Sequence, residues 1–343
     1  MSKLSQAWYK GAWWVWGLLP LAILFWLLSS LRRWCYRSGI LSSSKPDAFI
    51  IVIGNISVGG NGKTPVVIAL ANWFQQRNIR VGVLSRGYGG NATSFPHSVN
   101  ATDPAYLVGD EPKLIANRTG VPVVIDPTRT RGAAYLKDKF NCDVILCDDG
   151  LQHYALKRDF ELVVMDNRGV GNGKLLPMGP LREGQWRLNT VDAIILNNHG
   201  ERQAGILNSV SVPQYPMSLL AQNCVSVMDS SHIISIDKFR EDYARFTALA
   251  GIGAPERFFN YLAQHNLHAQ KKVSFNDHHS FERADIPNGV VLMTEKDAVK
   301  VKSIGHDQCW YLPIVAQLPD SFYLQLEKAL PQPIKQLRSQ DGV

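Results

Sequence analysis

The stretch that most narrows the possible folds is Gly54-Asn55-Ile56-Ser57-Val58-Gly59-Gly60-Asn61-Gly62-Lys63-Thr64-Pro65. It follows the apolar run F-I-I-V-I at 49–53 and precedes the helical pattern V-V-I-A-L-A-N-W-F. Strand, glycine-rich loop and helix in that order are what a phosphate-binding loop requires. Glycines let the backbone wrap an anion, so that N–H groups and the helix N-terminus face it. Ser57, Val58, Gly59, Gly60, Asn61, Gly62, Lys63 and Thr64 are therefore the expected nucleotide-binding residues. Lys63 would reach the β- and γ-phosphates of ATP, and the Thr64 hydroxyl would ligate Mg²⁺. Pro65 suits a first helical turn, where its missing N–H costs nothing. Ser57 stands where the strict G-x-x-x-x-G-K-[ST] pattern has its first glycine, and a plain glycine-rich turn is the competing reading.

Val144-Ile145-Leu146-Cys147-Asp148-Asp149 is a second element of the same kind, an apolar strand ending in carboxylates. A hard divalent cation needs oxygen ligands beside the phosphates, and neighbouring strand ends supply them. Asp148 and Asp149 are expected to touch the metal or its water, with Asp149 also serving the reaction directly. Further short apolar runs occur at 80–84, 121–125, 161–165 and 191–196, each separated from the next by a helix-length segment. Near-continuous Val/Ile/Leu runs spaced this way predict parallel strands covered on both faces, a doubly wound α/β sheet. The pattern loosens after about residue 200, then resumes at 246–250 and 289–293, with a helix from Pro255. The expected organisation is an anchor and linker over 1–46, a P-loop domain over 47–205 and a smaller C-terminal α/β domain over 206–343.

Charge assigns the remaining segment. The chain of 343 residues carries 36 Lys plus Arg against 29 Asp plus Glu, or +7. Residues 1–46 hold no acid and six bases (Lys3, Lys10, Arg32, Arg33, Arg37, Lys45), leaving +1 for the rest. Six of the nine Trp lie there too, around the 21 uncharged residues Gly11 to Leu31. About 20 apolar residues span a hydrocarbon core, and Trp with Arg at its borders fits interfacial anchoring. A cleaved signal peptide would have a shorter core and a small-residue cleavage site, and Leu28-Ser29-Ser30-Leu31-Arg32-Arg33 is a poor one. A buried core helix or a helix lying in the interface are the other readings. The expectation is a membrane helix, spanning or half-embedded, with the following domains in the cytoplasm and the basic residues on an anionic inner leaflet. A mean hydropathy of −0.09 excludes a polytopic membrane protein. A pI near 9 raises nucleic acid as a partner, but a nearly neutral body argues against it. Five scattered Cys, with no close C-x-x-C pair, offer neither a disulfide framework nor a zinc site.

Among P-loop classes, a GTPase needs N-K-x-D, and Thr294-Glu295-Lys296-Asp297 lacks its Asn and spacing. A partitioning-type ATPase needs Lys where Val58 stands. ATP-dependent group transfer remains. Seven elements in order then resemble one family: S-V-G-G-N-G-K-T-P at 57–65, S-R-G-Y-G at 85–89, V-G-D-E-P at 108–112, D-D-G-L-Q-H at 148–153, P-M-G-P-L-R-E at 177–183, F-N-D-H-H at 275–279 and T-E-K-D-A-V-K at 294–300. The chain is similar throughout to the tetraacyldisaccharide 4′-kinases (lipid A 4′-kinases) of Gram-negative bacteria, whose version of the loop includes the serine at 57.

The resemblance implies transfer of the ATP γ-phosphate to the 4′-hydroxyl of a lipid-linked glucosamine disaccharide 1-phosphate, in lipopolysaccharide biosynthesis. It also implies a smaller domain closing over the nucleotide through a two-stranded linker, and a catalytic pair of Asp110 as general base with His278. Spacing alone does not separate His278 from His279. Glu111 would assist Mg²⁺ or orient Asp110, or equally cap a helix starting at Pro112. Arg86 in a glycine-rich loop, together with Gln152, His153 and Glu183, would bind substrate. Arg182 would offset charge on the transferred phosphoryl group. Lys296 and Asp297 would line the domain interface.

Overall fold

The computed structural model describes residues 3–197, 210–332 and 334. Its larger sheet has nine strands. They are β1 (Phe49–Gly54), β2 (Val81–Ser85), β3 (His97–Ser98), β4 (Val123–Ile125), β5 (Val144–Asp148), β6 (Phe160–Asp166), β7 (Ala193–Asn197), β8 (Gln214–Ala221) and β15 (Ile314–Gln317). The order β15-β8-β7-β6-β1-β5-β2-β4-β3 is parallel from β8 to β4, with antiparallel strands at both edges. The doubly wound, mainly parallel α/β fold read from the apolar runs is the fold observed. Central β1 is buried at every position because both its faces are covered. One face packs on the helix that follows the P-loop, through Val66, Leu70 and Phe74; the other buries Ile50, Val52, Ile145 and Cys147 against Leu136 and Leu188.

The smaller sheet has six strands. Its members β9 (Cys224–Ser226), β10 (Ile233–Ile234), β11 (Thr247–Ala250), β12 (Lys271–Ser274), β13 (Val291–Thr294) and β14 (Cys309–Leu312) run in the order β10-β9-β14-β13-β11-β12. The expected boundary at 205/206 lies outside the described residues. The segment beyond it returns to the larger sheet twice, through β8 and through β15 with the helix Asp320–Ala329. Gln222 N–H donates to Pro313 O at 2.9 Å where the two crossings lie side by side.

The leader comprises α1 (Lys3–Lys10), a 3₁₀ stretch Trp13–Leu18 and α2 (Leu19–Arg37). The helical run Trp13–Arg37 is 25 residues long with a mean hydropathy of 1.9 in its most apolar window, only 11% of which is buried. It is long and apolar enough to cross a membrane, and its exposed Leu, Ile and Trp side chains fit membrane association. Helix α1 instead packs on the body. Ala7, Trp8 and Val15 bury against Val58 and Leu176, and Trp8 Nε1 donates to Pro177 O at 2.9 Å. Two bases expected on lipid are engaged by protein: Lys45 pairs with Asp159, and Arg33 lies 3.8 Å from the centre of the Trp186 ring.

Candidate active site

The carboxyl ends of β5, β1, β6 and β7 lie side by side, at the point where the chain connections diverge to opposite sides of β1. Such a switch point is where an open α/β sheet leaves a crevice for ligand. The P-loop fills it. Gly62 caps α3 (Lys63–Gln75) with φ +90°, and Gly59 has φ +107° with Arg168 Nη1 2.9 Å from where a Cβ would sit. Any side chain at Gly59 would meet both a disfavoured backbone and that guanidinium.

The loop's carbonyls are tied from outside. Asn55 Nδ2 donates to Gly59 O at 3.2 Å, Arg168 Nη2 to Gly60 O at 2.8 Å and Asn197 Nδ2 to Asn61 O at 3.1 Å. A peptide's C=O and the next N–H point in opposite directions, so anchored carbonyls leave the amides facing the cradle. Ser57 and Asn61 face inward to the body, with Asn61 Nδ2 3.3 Å from both Ser57 Oγ and Val164 O. They shape the loop, whereas Val58, Gly59, Gly60, Gly62, Lys63 and Thr64 border the cavity it opens into.

That cavity holds about 1770 Å³ and passes from the P-loop to the inner side of α2, where Phe25, Trp26, Leu28 and Arg32 line it. Arg86, Glu111, Asp148, Asp149, Gln152, His153, Arg182, Glu183 and His278 are in its wall as well. The two adjacent aspartates behave oppositely. Asp148 is 2% exposed, and burial, with Glu111 and Asp149 nearby, pushes its carboxyl up to about 7. Its Oδ1 has no hydrogen-bond partner. Burial also opposes ionisation of Asp149, but Lys63 and Arg182 outweigh it and hold that carboxyl at about 2. Lys63 Nζ is 3.4 Å from Asp149 Oδ1, and Arg182 Nη1 is 3.0 Å from Oδ2. Asp149 has φ +50°, a left-handed conformation that turns its carboxylate back toward the loop.

An orphaned buried carboxylate oxygen suits a dication, since an unpaired buried anion is costly. Among the described residues no group of three or more His, Cys, Asp or Glu forms a cage by itself. A metal beside Asp148, Glu111 and the Thr64 hydroxyl would thus complete its shell with nucleotide oxygens, as hard-ion phosphate sites do.

Across the cavity, Asp110 opens the helix Asp110–Thr119, whose N-cap is Gly109; Glu111 is in the first turn and is not the cap. His278 Nδ1 lies 3.1 Å from both Asp110 oxygens. Its neighbour His279 is turned away, with Nε2 3.0 Å from Asp285 Oδ2 and its ring stacked on Phe275. His278 has φ +59°, which reverses the chain between the two imidazoles. Asp110 is 4% exposed and sits behind His278, so the imidazole, rather than the carboxylate, borders the cavity. The hydrogen bond to Asp110 raises the His278 pKa despite burial. Burial works against the Asp110 anion, but His278 and Lys296 outweigh it and lower its pKa. Lys296 Nζ reaches Glu111 at 3.1 Å, Asp277 at 3.3 Å and Asp110 at 3.6 Å. Asp297 turns into the smaller unit instead, accepting from Gly251 N–H at 2.8 Å.

The remaining predicted residues are fixed from behind. Glu183 is buried, receiving Arg187 Nε at 2.9 Å and Tyr154 Oη–H at 2.5 Å. Gln152 Nε2 donates to Asn55 O at 3.4 Å. Burial, then Arg129 and Arg86, depress His153 to about 4, keeping it neutral. Arg129, Arg168, Asn197 and Arg257 escaped the sequence reading. Each lies 75 or more residues beyond the P-loop's strand, and none sits in a motif of its own. The one available hint was that Asn197 ends an apolar run, as Asp148 does.

A family model described as tetraacyldisaccharide-1-P 4′-kinase matches residues 14–331. The tetraacyldisaccharide 4′-kinase of Pseudoalteromonas atlantica is 47% identical over 90% of this chain and 97% of its own length. That of Aeromonas salmonicida is 45% identical over 96% of each. A crystal structure of LpxK from Aquifex aeolicus in complex with ATP superposes with a TM-score of 0.79 at 26% identity, covering 92% of this chain and 99% of that one.

Proposed function

This chain belongs to the tetraacyldisaccharide-1-phosphate 4′-kinase family, and we propose that it transfers the γ-phosphate of ATP to the 4′-hydroxyl of a tetraacylated glucosamine disaccharide 1-phosphate, forming a lipid A precursor. One observation carries the reading. A single cavity gathers Lys63, Thr64, Asp148, Glu111 and His278 at one end and the inner side of the apolar α2 at the other.

Thr64, Asp148 and Glu111 are the residues that would hold Mg²⁺, which supplies positive charge to the phosphate oxygens. Asp149 keeps Lys63 and Arg182 side by side, so two cations face the place where charge spreads over the transferring group. The Asp110–His278 pair removes the proton of the acceptor hydroxyl, with His278 presenting the pair to the cavity. Arg86, Gln152 and His153 line the route between P-loop and leader, where a disaccharide phosphate would lie. Tyr154, Glu183 and Arg187 keep that wall in place behind them.

The leader (1–46) holds the enzyme on the cytoplasmic side of the inner membrane, the unit built on the larger sheet carries the phosphate chemistry, and the smaller unit, inserted between β8 and β15, closes over the nucleotide. Support for the address comes from the exposed apolar face of α2 and from Arg32 and Arg37 at its end. Purified enzyme, γ-labelled ATP and the lipid disaccharide should give a product heavier by one phosphate, at the 4′-position, by mass spectrometry. ATP turnover with no phosphorylated lipid would sink the reading.

A further inference from the structure

The helix Pro255–Gln264 of the smaller unit carries Arg257 in its first turn. Its guanidinium crosses to the larger unit, with Nη2 2.7 Å from Asp166 Oδ2 and 3.1 Å from Asn167 Oδ1, and Nη1 3.4 Å from Gly60 O. Asp166, at the end of β6, is 3% exposed and is already served by its near neighbour Arg168. Arg168 Nε lies 3.0 and 2.9 Å from its two oxygens, Nη2 lies 2.6 Å from Oδ2, and the Arg168 N–H donates at 2.9 Å. Charge balance at Asp166 therefore does not call for a second guanidinium. What Arg257 brings is a second donor to the Gly60 carbonyl, delivered from the other sheet. Arg168 is tied to the strand end beside the loop, whereas Arg257 is present at Gly60 only when the smaller unit is docked.

With the Gly60 carbonyl held outside, the Asn61 N–H of the same peptide faces the phosphate cradle. The Asn61 side chain is fixed by the same cluster, because Arg168 Nη2 donates to its Oδ1 at 2.7 Å. We propose that Arg257 is a positioning residue for the P-loop, reaching from the smaller unit to fix the Gly60–Asn61 peptide and so making nucleotide affinity depend on docking. The inference rests on the ATP-kinase reading only for the identity of the nucleotide. Its physical content is that a contact on the outer side of the loop sets the amide geometry on the inner side. Arg257 also borders the cavity beside the loop.

The test is equilibrium binding of ATP to the full chain in detergent, with no lipid acceptor, for the wild type, Arg257→Gln and Arg257→Lys. Losing one charge-assisted contact should weaken ATP binding about tenfold in Arg257→Gln. Arg257→Lys should fall between, since one ammonium reaches Asp166 or Gly60 without the fork that spans both. In turnover assays KM for ATP should rise with KM for the lipid unchanged, and amide exchange at 59–62 should quicken in the nucleotide-free Arg257→Gln protein. Wild-type ATP affinity in either folded variant overturns the proposal, as does an equal rise in both KM values. If Arg257→Gln does not fold, Arg257→Lys decides by the same criteria. A wild-type protein that binds ATP but phosphorylates no lipid refutes the acceptor assignment and leaves this test intact.

Discussion

The two walls of the cavity are built in different ways. On the larger sheet, Lys63, Thr64, Asp148 and Asp149 come from two adjacent strand ends, and their positions follow from hydrogen-bonded register. On the opposite wall, His278 reaches Asp110 across 168 residues of chain, and Lys296 joins Glu111 across 185. One wall is pre-set by a single sheet and the other exists only while two units touch. The groups that meet the phosphates are thus placed within one unit and tuned from the other through Arg257, whereas the proton-removing pair does not exist without both.

Removing a group from each wall should separate the two. The largest effect belongs to Lys63→Ala, which takes one of two cations from Asp149 and from the transferring phosphate. Single-turnover rates should fall about a thousandfold or more, with weaker ATP binding as well. Asp110→Ala should lower kcat by about a hundredfold or more while KM for ATP stays near wild type. If both KM and kcat moved alike in the two variants, the distinction between walls would collapse.

The pH profile sharpens it further. His278 is raised above the ordinary imidazole value of 6.5 by Asp110, and Asp110 is held low in return. Below that raised value His278 already carries a proton and cannot take the acceptor's; as pH rises through it, the neutral imidazole that borders the cavity becomes available, with Asp110 stabilising the imidazolium that forms. kcat should therefore climb with a midpoint above 6.5, and His278→Asn should erase that limb while His279→Asn preserves it. The imidazolium–carboxylate attraction across the interface has the opposite sense, being full below 6.5 while Asp110 stays ionised and lost as pH rises through the same midpoint. Affinity for Mg-ATP belongs to the other wall, where Asp148, pushed up to about 7, sets its own pH dependence, and His278→Asn should leave that dependence unchanged.

The smallest effect concerns the contact that joins the walls. Arg118 Nη1 lies 2.9 and 2.8 Å from the two oxygens of Glu295, and burial still keeps the Glu295 pKa raised. Arg118→Gln should cost about 1–2 kcal/mol of stability, read as a lower Tm, with little change in kcat. Arg118→Gln with Glu295→Gln should recover part of that loss, because no charge is then left buried alone.

Sequence reading reached the first wall far better than the second. Strand, loop and helix at 49–75 are contiguous, and 144–149 announces itself by an apolar run with acids at its end. Strand β8 was missed because it alternates between buried and exposed residues and contains Pro216, unlike the continuous apolar strands of the sheet centre. Strand β15 was missed for a related reason, being a half-buried edge strand. The outward anchoring of the loop's carbonyls was not legible, since Arg168 and Asn197 act through backbone atoms that carry no residue signature. Adjacent histidines could not be told apart either; a single left-handed residue decides which one meets Asp110. In the leader, charge and Trp content pointed to lipid, but nothing in them revealed that Trp8 and Arg33 are spent on the body.

The return of the chain to the larger sheet has a consequence for synthesis. Ala316, Leu318, Phe322 and Leu326 bury in the same cluster as Val66, Leu70 and Phe74 of α3, and Tyr323 stacks on Trp73 at 5.3 Å. A ribosome therefore releases the phosphate loop early and the side chains that seal its helix nearly last. In between, the smaller unit emerges whole, its two ends already adjacent at Gln222 and Pro313. The nascent host must wait with an open flank while its insert folds first, so a nonsense codon shortly before residue 320 would leave a nearly full-length chain whose nucleotide site has lost its back wall.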